Sequence, residues 1–245
     1  MAVHPDPIRI VPLRLADEVL APTRAAQLTY RGGPLLTAVE VVTIFWGAAW
    51  QGQQAALAST MNAFFDEVLA GPLMDQLAEY SVPGKQIGHG RRTATATVSS
   101  PEPPPSVTDS AIQAFIQQQI SAGAVPANTP NSLYFVFLPP GVTVSQGGGR
   151  SCMTFCGYHE SSGQLCYAVM PFPGCAGCTG GLSMQDALTS TSSHELCEAI
   201  TDPVPGQGWY DDANGEIGDI CAWKTKKLGQ YTVQLEWSNQ AGNCV

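Results

Sequence analysis

An imidazole and two carboxylates lie close together in the chain at His194, Glu195 and Glu198. On a helix that turns about 100° per residue, positions 194 and 198 lie one above the other on one face. Leu196 and Ile200 point to the opposite side and suit a hydrophobic core. The spacing therefore predicts that His194 and Glu198 bind a divalent cation and that Glu195 accepts a proton from a water that the cation activates.

This pattern has Glu where the metal-peptidase helix His-Glu-x-x-His has its second His. The alternative interpretation is an exposed helix face that carries only solvated charge. Charged residues make up only 13% of the chain, and a second acidic cluster follows within residues 208–219. Both observations favour a metal site.

A catalytic zinc keeps three protein ligands and one open position, so the third ligand must come from elsewhere. Asp219 is the first choice and Glu216 the second, because both lie on the segment that returns past the helix. At the Thr-Asp-Pro helix exit, Asp202 is expected to bind backbone groups or to support a ligand. Tyr210 and His159 are candidates to hydrogen-bond the tetrahedral oxyanion. Alternatively, Tyr210 is an anchor at the edge of the core, and His159 is a loop residue whose hydrogen bonds are satisfied within the protein.

The net charge limits the classes of partner. Lys and Arg number 11 and Asp and Glu 20, which gives a net charge of −9 and a pI near 4.7. An acidic surface argues against nucleic acid and anionic membranes. The longest apolar stretch, residues 41–50, is too short to span a bilayer and predicts a buried strand and its exit. The expected partner is a protein or peptide substrate, bound by a monomer.

Eight cysteines, an even number, favour disulfide bonds in an oxidising compartment. A zinc site formed by the four cysteines at 152, 156, 175 and 178 in a reducing cytosol is the alternative. The expected disulfides are Cys152–Cys156, Cys175–Cys178 and Cys221–Cys244. The two remaining cysteines, 166 and 197, are then paired with each other or buried and free. No signal peptide is recognisable in residues 1–31, so export would follow removal of a leader or use another route.

Hydrophobic periodicity predicts the secondary structure. Strands are expected at residues 40–46, 92–98, 133–138, 166–171 and 231–238. Helices are expected at residues 53–70, 74–80, 109–122 and 183–201, the last with a capping box of Ser183 and Asp186. Residues 1–28 are interpreted as an extended N-terminal arm or the remnant of a propeptide, and residues 29–245 as one domain. Strands that precede a helix bearing His-Glu are the order of zincin-like α+β domains, so we predict a zincin-like mixed sheet with helices and supporting disulfides.

Four short motifs stand out: Tyr-Arg-Gly-Gly-Pro-Leu-Leu at 30–36, Cys-x3-Cys-Gly-Tyr-His at 152–159, Cys-x2-Cys at 175–178 and Thr-Asp-Pro at 201–203. Together they resemble the plant phosphate-induced, EXORDIUM-like secreted proteins over residues 29–245. Microbial relatives that carry His-Glu-Leu-x-Glu-Ala-x-Thr-Asp-Pro, then Trp-Tyr-Asp and Glu-x-x-Asp-x-Cys, resemble this chain more closely. Those relatives look like zincin-type metallopeptidases. The resemblance implies the same activity here and supports secretion and disulfide bonds.

The sequence thus predicts a secreted zinc-dependent endopeptidase that hydrolyses peptide bonds with Glu195 as general base. Because a Glu replaces the second His, only one imidazole ligand is left to be protonated as the pH falls. We therefore expect the protein to keep its metal at mildly acidic pH and to be most active below neutrality. The alternative is a non-catalytic extracellular or cell-wall binding module whose carboxylates hold a structural Ca²⁺.

Overall fold

The computed structural model describes residues 10–14 and 26–245. Within these residues the helices are α1 (Ala55–Val68), α2 (Pro72–Leu77), α3 (Asp109–Ser121), α4 (Ala176–Thr179) and α5 (Met184–Thr201). The strands are β1 (Ile10–Pro12), β2 (Thr29–Tyr30), β3 (Glu40–Trp46), β4 (Arg91–Val98), β5 (Ser106–Thr108), β6 (Ser132–Phe137), β7 (Thr143–Gln146), β8 (Gly149–Arg150), β9 (Phe155–Ser162), β10 (Leu165–Met170), β11 (Trp209–Tyr210), β12 (Thr225–Leu228), β13 (Tyr231–Gln234), β14 (Trp237–Ser238) and β15 (Asn243–Cys244). Short 3₁₀ helices occupy Ala48–Gln51, Ala78–Tyr80 and Asp219–Cys221.

A six-stranded mixed sheet forms the centre of the fold, in the order β1-β9-β10-β6-β3-β4. The four strands β10, β6, β3 and β4 run parallel to one another. Strand β9 is antiparallel to β10, and β1 is antiparallel to β9. Strands β3 and β6 are almost entirely buried, as their continuous apolar sequences require of strands covered on both faces.

Helices cover both faces of this sheet. Val41 and Phe45 of β3 share a core cluster with α1 and α5, whereas Val42 and Ile44 share one with α3. The predicted mixed sheet with helices is confirmed. The helices are not confined to one face, however, because the crossovers between parallel strands place α1 and α3 on opposite sides, which gives the sheet an α/β character.

The sequence located the long elements well. The four predicted helices correspond to α1, α2, α3 and α5, and the strands predicted from residue 40 to residue 171 correspond to β3, β4, β6 and β10. The last predicted strand, residues 231–238, is divided into β13 and β14. Strand β9 was not predicted, because its second half, with Glu160–Ser162, is polar and shows no alternation of apolar and polar residues. None of the helices in the described ranges has the length and hydropathy needed to cross a bilayer.

Three disulfides form, but two of the expected pairings are wrong. The bonds are Cys152–Cys175, Cys156–Cys178 and Cys221–Cys244, so only the last pairing is confirmed. The segment around β9 lies beside α4, which brings the first two pairs to Cα–Cα distances of 5.8 and 5.3 Å. The first two disulfides contain all four cysteines of the alternative zinc site. The cysteines at 166 and 197 do not pair with each other; both are free, the first half-buried and the second buried.

We expect that replacing Cys221 and Cys244 by Ser lowers the free energy of unfolding by about 3 kcal/mol. The two residues are 23 positions apart, and the open chain between them regains conformational freedom when unfolded. For a chain of this size the melting temperature should fall by about 6–12 °C, which scanning calorimetry measures. Cys166→Ser, which removes a free thiol, is the control, and an equal loss in that variant would contradict the prediction.

The predicted N-terminal arm, residues 1–28, lies partly outside the described residues. Of its described part, Ile10–Pro12 forms β1 at the edge of the central sheet. Its end at residue 28 stays a prediction, as does its interpretation as a propeptide remnant.

Candidate metal centre

Helix α5 carries the central residues of the site and is buried from Ala187 to its end. It begins as predicted: Ser183 Oγ accepts a hydrogen bond from Asp186 N at 3.1 Å. Gly157 of β9 permits a close approach of the helix, since a Cβ at that position would lie 2.7 Å from Thr191 Cγ2 and 3.2 Å from Glu195 Oε1. The absence of a side chain at Gly157 therefore lets Glu195 lie directly against β9.

His194, Glu198 and Asp219 form one candidate ligand group, with ligand atoms within 4.8 Å of one another. The Nε2 atom of His194 lies 2.9 Å from Glu198 Oε1, yet neither nitrogen of this ring has a hydrogen-bond partner. Ligands of one ion direct their lone pairs at a common centre, so a bound ion would account for a short N–O distance without a hydrogen bond. The sequence's first choice of third ligand therefore lies beside the two helical ligands.

Gly218 lets the returning segment approach this group. A Cβ added there would lie 2.7 Å from His194 Nδ1 and 2.9 Å from Glu198 Oε1. The next residue, Asp219, donates its backbone N–H to Glu198 Oε1 at 3.1 Å. The backbone of residues 218–219 thus fixes the position of the Glu198 carboxylate.

His159, Glu195 and Glu198 form a second group of the same kind, which shares Glu198 with the first. The Nδ1 atom of His159 lies 3.2 Å from Glu195 Oε2 and 3.4 Å from Glu198 Oε2. Its Nε2 atom faces the carbonyl oxygen of Asp202 at 3.3 Å and Glu216 Oε1 at 3.5 Å. Glu216, the second choice of ligand, therefore approaches His159 and not His194.

Sequence analysis predicts a role at the oxyanion for His159 but does not place this residue against Glu195. A local signal existed: on a strand, residues 157 and 159 point to the same face, and Gly157 marks the point where another element approaches. That signal was hidden because β9 itself was not recognised.

The site residues are buried, so any charge that they carry has to be offset by a nearby opposite charge. His159, His194, Glu195, Glu198 and Glu216 have no exposed surface. Asp219 is the member that keeps partial contact with solvent. Two protonated imidazoles would offset two of the four carboxylates, and buried charge that is not offset is strongly destabilising. A divalent cation bound to neutral His194 would supply positive charge in place of such protons, so the side chains present fit a metal ion.

Unpartnered oxygens support the same conclusion. Glu195 Oε1, Glu198 Oε2 and both carboxylate oxygens of Glu216 are buried without a hydrogen-bond partner. Buried polar atoms are almost always hydrogen-bonded, and a cluster of exceptions calls for a physical reason. A cation bound beside Glu195 and Glu198 would be such a reason for their oxygens, whereas Glu216 is in neither ligand group.

The same charges shift the pKa values of the centre. Burial alone would lower the pKa of His194, but the Glu198 carboxylate raises it well above its usual value. At His159 burial is likewise outweighed, chiefly by Glu216, and the pKa is raised. Burial together with neighbouring carboxylates raises the pKa of Glu216 and of Asp219. Burial would also raise the pKa of Glu198, yet the charge of His194 lowers it to about 2.

We therefore expect the metal-free protein to become less stable as the pH rises from about 5 to about 8. His159, His194, Glu216 and Asp219 have pKa values above those of the unfolded chain, so the native state binds more protons and loses stability as the pH rises. Glu198 acts in the opposite sense: its contribution is present above its unfolded pKa of about 4.3 and is lost only as the pH falls towards 2.

Thermal unfolding in chelator measures this prediction. The melting temperature at pH 8 should lie about 4 °C or more below that at pH 5, which corresponds to a loss of at least about 1–2 kcal/mol. Zinc should reverse the trend, because metal ligands must be deprotonated. The control Glu216→Gln removes one buried titrating group and should flatten the pH dependence. Equal stability of the metal-free protein at both pH values would contradict the prediction.

Asp202 lies where the sequence placed it, at the end of α5, and binds backbone groups. Its carboxylate accepts hydrogen bonds from the N–H groups of Gly206, Gln207 and Gly208 at 2.6, 3.0 and 2.5 Å. These three bonds fix the turn that follows the helix, and neither ligand group includes the Asp202 side chain.

Tyr210 belongs to the small ladder of β2 and β11, opposite Thr29. The guanidinium of Arg31 lies over its ring, 4.4 Å from the centroid. Tyr210 is in neither ligand group, and its role as an oxyanion donor stays a prediction.

Comparison with known proteins gives little further information. No protein-family model and no curated protein matches this chain. The solved structures that resemble it include one described as "Structure of a chaperone-substrate complex". It is 14% identical, has a TM-score of 0.35, and is matched over 65% of this chain and 25% of that one. Such a low score does not establish a shared fold, so we infer function from the geometry of the candidate metal centre.

Proposed function

We propose that this protein is a zinc-dependent endopeptidase of the zincin type, secreted into an oxidising compartment. The observation that carries the proposal is the group of His194, Glu198 and Asp219, with Glu195 beside it on the same helix. Three disulfides support the compartment, since such bonds persist mainly outside the reducing cytosol.

The chemistry of the donors favours zinc over calcium. Each ligand group contains one imidazole together with carboxylates. Calcium takes six to eight oxygen ligands, whereas zinc binds imidazole and carboxylate together in a small shell. A group of one His and two carboxylates also leaves a fourth position for a reacting molecule, as a catalytic zinc requires.

Bound zinc would supply a Lewis acid that polarises the scissile carbonyl and acidifies a water. Glu195 accepts the proton of the attacking water as its oxygen bonds to the carbonyl carbon. Glu195 then delivers that proton to the amine nitrogen as the C–N bond breaks. Two features suit it: burial raises its pKa, and Oε1 has no hydrogen-bond partner in the protein. His159, 3.2 Å from Oε2, holds the carboxylate in position.

Complete burial of the helical site residues favours a second candidate. His194, Glu195 and Glu198 have no exposed surface, which also suits an ion that only stabilises the fold. The protein would then be a non-catalytic extracellular binding module with a structural metal, Ca²⁺ included. Partial exposure of Asp219 gives the catalytic candidate a side from which a substrate can approach.

Metal reconstitution separates the two candidates. The full chain is stripped with a chelator and titrated with Zn²⁺ or Ca²⁺, and metal content and hydrolysis of a denatured protein are measured. We expect about one Zn²⁺ per chain and hydrolysis that returns with zinc. His194→Gln should lose both, whereas His89→Gln, at an exposed histidine beside Asp75, should lose neither. Binding of Ca²⁺ alone, without hydrolysis, would favour the binding module.

A further inference from the structure

The outer edge of β9 is occupied by a strand of only three residues. Ile10 pairs with Tyr158, Val11 with Gly157 and Pro12 with Phe155, and the register shifts between Val11 and Pro12. A proline and an irregular register both weaken the pairing of an edge strand. Strand β1 is thus a short, imperfect cover of an edge that otherwise offers its backbone for pairing.

This stretch of edge runs beside the metal centre. Gly157, the partner of Val11, is the residue whose missing Cβ would lie 3.2 Å from Glu195 Oε1. Tyr158, the partner of Ile10, immediately precedes His159. Helix α5 also lies beside β1. An extended chain on this edge therefore passes next to the proposed general base.

The contacts of residues 10–14 are those of a bound extended peptide. Val11 is buried in a small cluster with the Cys156–Cys178 disulfide. The carbonyl oxygen of Pro12 accepts a hydrogen bond from Trp223 Nε1 at 3.0 Å. Arg14 donates its backbone N–H to the carbonyl oxygen of Gly177 at 2.9 Å. Main-chain hydrogen bonds together with one side-chain pocket are how proteins bind peptides by strand addition.

We propose that the outer edge of β9 is a docking site for an extended peptide and that β1 is its resident, autoinhibitory occupant. Displacement of β1 frees the edge, and a peptide then adds to the sheet antiparallel to β9. The preferred peptide carries a branched apolar residue at the position of Val11, because the pocket beside the disulfide is small and apolar. Inhibition by β1 rests on the proposed peptidase function, whereas peptide binding does not.

The test uses the full chain and a fluorescent peptide with the sequence of residues 8–14. In Val11→Asp, the charged side chain cannot remain in the apolar pocket, so β1 should leave the edge of β9. Fluorescence anisotropy should then show that this variant binds the peptide at least about tenfold more tightly than the native protein does. A scrambled peptide should not bind. Met153→Asp, at an exposed apolar residue, is the matched control and should bind like the native protein.

Amide hydrogen exchange shows whether the variant keeps its fold. Exchange at residues 155–158 should rise in Val11→Asp, while β3 and β6 remain protected. A folded variant that binds the peptide no better than the native protein would overturn the proposal. If Val11→Asp does not fold, Val11→Ala provides the comparison, because it weakens the packing of β1 and leaves the pocket for the peptide unchanged. Unchanged peptide affinity in that variant also overturns the proposal.

Hydrolysis by the same variants distinguishes the two proposals. Peptide binding without hydrolysis of any protein substrate would contradict the peptidase function but support the docking site at the edge of β9. Zinc-dependent hydrolysis that is equal in the native protein and in Val11→Asp, without peptide binding, would contradict the docking edge and leave the peptidase standing.

Discussion

Glu195→Gln should abolish peptide hydrolysis while leaving metal content and fold nearly unchanged. General-base catalysis typically contributes about 10²–10⁴-fold, so kcat should fall by that factor. The amide has nearly the same size as the carboxylate and can remain beside His159 Nδ1, which lies 3.2 Å from Glu195 Oε2 in the native protein. It cannot accept a proton at ordinary pH, however. Steady-state kinetics on a denatured protein substrate, with metal analysis of the same sample, measures the effect.

Glu236→Gln is the matched control for this prediction. Glu236 is as completely buried as Glu195, and its oxygens also lack hydrogen-bond partners, yet it belongs to neither ligand group. The control should therefore retain hydrolysis. Glu195 also belongs to the ligand group that contains His159. Loss of metal from Glu195→Gln would therefore show that Glu195 is a ligand and would falsify its role as the base.

Asp219→Ala should lower zinc affinity by about 100-fold or more, because it removes a coordinate bond. Loss of a group that only supports a ligand typically lowers affinity or activity by about 10- to 100-fold. Asp219 is near His194 and Glu198, whereas Glu216 lies 3.5 Å from His159 Nε2. Competition with a chromogenic chelator ranks the affinities. If Glu216→Ala loses zinc and Asp219→Ala does not, the two carboxylates exchange roles.

Asp202→Ala makes the comparison sharper, because its expected effect is on folding and not on the metal. The change removes the carboxylate that accepts from three backbone N–H groups, those of residues 206–208. Gln207 N–H keeps the carbonyl oxygen of Val204 as a partner at 2.9 Å, so the N–H groups of Gly206 and Gly208 are the ones left unpaired. Buried donors left unpaired each cost about 1–3 kcal/mol, so stability should fall by about 2–4 kcal/mol, allowing for water at the half-buried positions. Zinc affinity measured well below the melting temperature should change less than in Asp219→Ala. A larger loss in Asp202→Ala would contradict this assignment.

Features that depend on neighbours along the chain were readable from the sequence. The positions of His194 and Glu198 on one face of α5, the cap at Ser183 and the buried strands β3 and β6 all follow from local periodicity. The third cysteine pair, Cys221–Cys244, was also anticipated. In each of the first three cases the geometry is set within a few residues by the helical or strand repeat.

Features that depend on residues far apart were decided by the tertiary structure alone. His159 reaches Glu195, 36 positions away, only because β9 pairs with β10 and α5 crosses it at Gly157. The exchange of the expected disulfide partners has the same cause, since α4 lies beside the start of β9. Local periodicity fixes which face a side chain occupies, but strand order and register fix which faces meet, and those follow from packing of the whole chain.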